Sequence, residues 1–96
     1  MSELDRLIGS ELISIKTDEG YTILEFDCGG LTAYNPVSFS QAATGQVVQA
    51  VKIENGLSLT IELLNSTSIE VSLKDEDYSG PEAFSVKFND GAIVVV

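Results

Sequence analysis

The clearest pattern along the chain is a strict two-residue alternation of apolar and polar positions between Val51 and Lys74. Leu57, Leu59, Ile61 and Leu63 alternate with Ser58, Thr60 and Glu62, and Ile69, Val71 and Leu73 alternate with Ser68, Glu70 and Ser72. Successive side chains of a strand point to opposite sides of a sheet, so this period predicts two strands with one buried and one wet face. Asn65-Ser66-Thr67 supplies the turn between them. Upstream, Asn55-Gly56 predicts a two-residue type I′ hairpin, because both residues tolerate positive φ. A strand over Val47–Glu54, with Val51 and Ile53 inward, completes a three-stranded meander.

An earlier stretch follows the same plan. Ile13 and Ile15 alternate with Ser14 and Lys16, Leu24 and Phe26 with Glu25 and Asp27, and Leu31–Tyr34 forms a third strand. Asp18-Glu19-Gly20 predicts a three-residue loop, and Gly29-Gly30 the next turn. Gly9-x-x-Leu12-x-x-Ile15-Lys16 echoes Gly45-x-x-Val48-x-x-Val51-Lys52, and Thr22-Ile23 to Leu31-Thr32 lies against Thr60-Ile61 to Ile69-Glu70. The chain therefore reads as an internal repeat of two meanders packed face to face.

The remaining segments fit around this frame. Ser2-Glu3-Leu4-Asp5 has the form of a helix N-cap with an acid at its third position, followed by Leu4, Leu7 and Ile8 on one face and a stop at Gly9. Val37 to Thr44 has no period and is left unassigned. Phe84–Phe88 and Ala92–Val96, joined at Asn89-Asp90-Gly91, add two strands. The expected architecture is a single all-β domain over residues 1–96, a small antiparallel β-sandwich or flattened barrel of about eight strands with one short N-terminal helix.

Charge narrows the function classes. Fifteen acids against five bases give a formal net charge of −10. Such a surface repels nucleic acid and anionic membrane, and attracts basic proteins. The same acidity also serves solubility. The longest apolar run, Ala92 to Val96, is far too short to span a membrane. With one cysteine, Cys28, and no basic, apolar leader after Met1, the expectation is a cytoplasmic protein.

The absence of histidine removes Ser-His and Cys-His nucleophile systems and histidine-ligated zinc, and no Gly-rich phosphate loop precedes a helix. No enzyme and no cofactor is expected. The acid runs Asp18-Glu19 and Asp75-Glu76-Asp77 fall in turns, where solvent makes a carboxyl a poor general acid at neutral pH. Asp75, Glu76, Asp77, Tyr78 and Glu82 form the candidate partner-binding loop, with Tyr78 supplying apolar area and a hydroxyl. In the competing reading of this loop, Tyr78 caps the core while Gly80 and Pro81 shape a crossover. Tyr34 and Phe39 either plug one end of the sandwich or line a pocket, with Gln49 as its polar member because it falls in register with Val47, Val51 and Ile53.

The segments Tyr34-Asn35-Pro36 and Asp77-Tyr78-Ser79-Gly80-Pro81-Glu82-Ala83, with Leu7-Ile8-Gly9 and Gly91-Ala92-Ile93-Val94-Val95, resemble a group of small bacterial proteins that has no established activity. The resemblance implies a bacterial source and no mechanism. In size and charge the chain is also similar to small acidic immunity proteins that neutralise basic nuclease toxins. The preferred function is a non-catalytic acidic module that binds a basic protein, with a small-molecule-binding domain and a purely structural subunit as alternatives. Ala92–Val96 is apolar on both faces, so it is expected either inside a sheet or covered by a second copy in a homodimer.

Overall fold

The computed structural model describes residues 3–96, for Glu3 and Gln41 the backbone alone. Nine strands form two antiparallel sheets: β1 (Leu12–Asp18), β2 (Tyr21–Phe26), β3 (Gly29–Ala33), β4 (Val37–Ser38), β5 (Val48–Glu54), β6 (Ser58–Leu63), β7 (Ser68–Ser72), β8 (Phe84–Phe88) and β9 (Ile93–Val95). One sheet has the order β1-β2-β3-β8-β9 and the other β4-β7-β6-β5. They pack as a sandwich around Leu24, Phe26, Leu31, Leu59, Ile61, Ile69, Val71, Phe84, Val86 and Phe88, all buried. The sheets do not close into a barrel.

The repeat is real in the backbone. Each half contributes a three-stranded meander to its own sheet, then sends its next strand across: β4 pairs with β7 and β8 pairs with β3. The halves meet where Glu11 and Val47 face each other antiparallel. Leu12 N–H donates to the Gln46 carbonyl (2.9 Å) and Val48 N–H to the Ser10 carbonyl (2.8 Å); Gly9 N–H donates to the Val48 carbonyl (2.9 Å) and Gly45 N–H to the Leu12 carbonyl (2.7 Å). Exchanging the halves converts each bond of a pair into the other, which is a local twofold axis. Gly9 and Gly45 occupy the same left-handed conformation, φ 89° and 87°, where a Cβ would be strained. The salt bridges Lys16–Glu25 (3.6 Å) and Lys52–Glu62 (3.3 Å) are counterparts as well.

Several local expectations are corrected. A β-bulge between Leu12 and Ser14, and another between Val48 and Ala50, place two residues opposite one on the partner strand. At the bulges Leu12 and Val48 are buried while Ile13 and Gln49 turn outward. Beyond them Val51 and Ile53, opposite the buried Ile61 and Leu59, keep the inward face and are only partly covered because β5 is an edge strand. The hairpin loops also exchange lengths. Asp18 pairs with Tyr21 across the two residues Glu19-Gly20, whereas Glu54 pairs with Ser58 across Asn55-Gly56-Leu57, which leaves Leu57 in the turn and exposed. The residue added there aligns Leu24 with Ile61 and Ile23 with Thr60, one place from the match read in sequence.

Gly29-Gly30 is not a turn. Asp27-Cys28 makes the turn and Gly29 pairs with both Phe26 and Phe88, so close to β8 that a Cβ would collide with the Lys87 carbonyl oxygen and approach the Phe88 Cα within 2.8 Å. At the N-terminus Glu3–Leu7 is a 3-10 turn. Its three-residue period buries Leu4 and Leu7 and leaves Ile8 46% exposed. Ser2, read as the cap, lies outside the described residues. Val37–Ser38, inside the unassigned segment, is the added strand. Ala92–Val96 is not central: its strand, β9, is the edge of the five-stranded sheet.

Candidate protein-binding site

Two segments distant in the sequence meet as the chain leaves β3. The N–H groups of Tyr34 and Asn35 both donate to the Ala83 carbonyl (2.8 and 3.2 Å), and Ser72 N–H donates to the Pro36 carbonyl (3.0 Å). The Asn35 side chain is buried; its Nδ2 donates to the Ser72 carbonyl (2.7 Å), and its Oδ1 has no partner. Ser72 also organises the acidic loop. Its hydroxyl donates to Asp77 Oδ2 and accepts from Lys74 N–H (3.3 Å), holding a 3-10 turn over Asp75–Asp77. Asp77 is thus oriented and half-buried, while Asp75 and Glu76 are exposed. Tyr78 packs half-buried against the core, and Glu82 is half-buried in the crossover that follows.

Between this loop and the β1–β2 hairpin lies an open depression of about 350 Å³, whose walls include Asp18, Tyr21, Tyr34, Asn35, Pro36 and Asp77. Tyr21 and Tyr34 are 37% and 38% exposed. Tyr21 Oη donates to Asp18 Oδ2 (3.3 Å), and Asp18 Oδ1 accepts from Glu19 N–H (2.7 Å), so the tip is ordered by its own carboxylate. Tyr34 borders a second hollow of about 300 Å³ with Pro81 and Glu82. A polar groove on the outer face of the four-stranded sheet, with Glu54, Glu70 and Lys74, shares Pro36 and Asp77 with the first depression.

Five separate segments therefore bring Asp18, Glu54, Glu70, Asp77 and Glu82 to adjoining hollows. The ion pairs Arg6–Asp90 (2.8 Å), Lys16–Glu25 and Lys52–Glu62 involve other acids. Among the described residues no three His, Cys, Asp or Glu side chains gather as a metal site, and no helix is long and apolar enough to cross a membrane.

The candidate pocket of Tyr34, Phe39 and Gln49 does not assemble. Tyr34 belongs to the depression above, Phe39 is half-buried on the core, and Gln49 sits exposed in the β5 bulge, beside a different hollow with Glu62 and Ser66. The bulge is the cause, since one extra residue turns Gln49 outward. The residues missed in the sequence are Asp18 and Tyr21. Their place beside Tyr34 follows from the β2–β3 register, in which Thr22 pairs with Ala33.

Set against family models, curated proteins and solved structures, the chain matches none. The site therefore rests on its own geometry.

Proposed function

We propose that the protein is a non-catalytic binding module whose acidic end docks a basic protein. One observation carries the reading: two half-exposed tyrosines share an open depression with Asp18 and Asp77, which have no ion-pair partner among the described residues. Tyrosine offers rigid contact area with a polar tip, and a carboxylate beside an aromatic ring suits an Arg or Lys whose stem packs on the ring. The net charge of −10 steers such a partner at long range. An immunity protein acting on a basic toxin in a bacterial cytoplasm is the concrete form of this reading.

Replacing Asp75, Glu76 and Asp77 together by Ser, Gln and Asn, and separately Tyr34 by Ala, tests it. Both variants are expected to fold and to lose the partner in a pull-down from the source cell, and the parent's association rate is expected to fall steeply with salt. Equal recovery of the partner by parent and variants overturns the proposal.

A second reading, a homodimer through the C-terminal strand, is favoured by the exposed apolar residues of β9. Ile93, Val95 and Val96 are 63%, 51% and 37% exposed on a sheet edge that carries no charge.

A further inference from the structure

The edges of the two sheets are unequally protected. β1 and β5 each carry a bulge and a lysine, Lys16 and Lys52, which are devices that discourage strand addition, and β4 is only two residues long. β9, three residues long, carries neither a bulge nor a charge. Its pairing with β8 shows which backbone groups are free. Val96 N–H donates to the Phe84 carbonyl (3.1 Å) and Phe88 N–H to the Ala92 carbonyl (2.8 Å), while Val94 lies opposite Val86. Antiparallel pairs alternate between bonded and non-bonded, so Ile93 and Val95 aim their N–H and C=O groups away from β8, along the open edge.

We infer that a second copy of this chain pairs antiparallel along that edge, with the twofold axis at Val94, joining the two five-stranded sheets into one. Ile93 of each copy then exchanges both backbone bonds with Val95 of the other, and their side chains pack together on the outer face. This rests on the homodimer reading above and adds the edge, the direction and the register.

Charge selects a second copy as the occupant. The protein carries fifteen acids, yet β8 (FSVKF) and β9 (IVV) contain none. Two copies that pair along β9 therefore bring no strand carboxylate opposite another. A basic protein is drawn instead to the acidic end. A symmetric contact also requires a self-complementary strip, and three consecutive apolar residues centred on Val94 supply one.

Sedimentation velocity of the full chain, from micromolar to about a hundred micromolar, reads the result. The parent is expected at twice the 10.3 kDa formula mass. Ile93→Lys, and Val95→Pro, which removes an N–H the single copy does not use, are each expected to weaken the dimer roughly tenfold or more. Leu64→Lys, at an exposed apolar site outside β8 and β9, is the control and leaves the dimer intact. Far-UV circular dichroism confirms that each variant is folded. A dimer indifferent to both edge variants overturns the β9 pairing while the homodimer stands. A parent that is monomeric throughout overturns both. Slowed exchange of the Ile93 and Val95 amides in the parent, but not in folded Ile93→Lys, supports the register.

Discussion

The two halves of this protein share a scaffold and differ on its surface. Bulge for bulge, and down to the Lys–Glu pairs, β1–β2–β3 and β5–β6–β7 superimpose in pattern. Their outward positions diverge. Tyr21 stands where the second half has Ser58, Ile23 where it has Thr60, and Tyr34 where it has Ser72. The second half keeps a hydroxyl-rich face, and Ser72 serves there as the internal anchor of Asn35 and Asp77. The first half exposes aromatic rings and also receives β8 and β9. Pairing and core packing constrain inward residues and edges, whereas outward positions are free to specialise. The exposed aromatic rings therefore lie on the first half of the frame and most of the neighbouring acids on the second.

The sharpest way to break this comparison is through the core, where the halves should be equivalent. Leu24 and Ile61 are counterparts and both are fully buried. Leu24→Ala and Ile61→Ala are each expected to cost roughly 2–5 kcal/mol in urea melts. A loss below about 0.5 kcal/mol at one of them, within the range of an ordinary surface change, shows that the halves do not share the load.

A smaller effect separates positions that look alike in sequence. Gly29→Ala forces β3 away from β8 and is expected to cost roughly 1–3 kcal/mol, as overpacking does. At Gly30 a Cβ meets only the Leu24 carbonyl oxygen at 3.8 Å, so Gly30→Ser, which installs the residue its counterpart Ser68 carries, is expected within about 0.5 kcal/mol of the parent. Equal losses at both sites contradict the packing of β3 on β8.

The smallest effect concerns a contact present in one half only. Arg6 lies over the Phe88 ring, 4.1 Å from its centroid, and pairs with Asp90. The hydrogen bond from Ala92 N–H, and then Arg6, hold the Asp90 carboxyl below the usual carboxylate range. A group depressed in the folded state adds stability that is present above its unfolded value, 3.8, and is lost as pH falls through the folded one. Asp90→Asn keeps the acceptor for Ala92 N–H but removes the charge, so it is expected to lower neutral stability slightly and to flatten the acid limb of the stability curve by the same small amount. An unchanged acid limb removes Asp90 from the account.

The errors of sequence reading share one origin. Alternation correctly locates Leu59, Ile61, Ile69 and Val71 in the core, because a side chain's facing within a regular strand is a local property. It fails at Ile13 and Gln49, where a bulge breaks the period without any glycine or proline to announce it. The hairpins exchange loop lengths because Leu57, apolar and in phase, is recruited into a turn. For the site, the acidic loop is legible in Asp75-Glu76-Asp77, but Ser72 as its anchor and Tyr21 as its neighbour are not. Each joins the site through strand pairing that no short window contains.

By itself the sequence determined the all-β class, most strand positions, the duplicated meanders, the acidity and the uncharged C-terminal strand. These follow from period, composition and local turn chemistry, which act over a few residues. Only the tertiary structure decided that each half sends a strand to the other's sheet, that β9 is an open edge, and that Tyr21, Tyr34, Asp18 and Asp77 share one depression. Those outcomes depend on which edges pair across the chain, and that choice is made by burying both meanders at once.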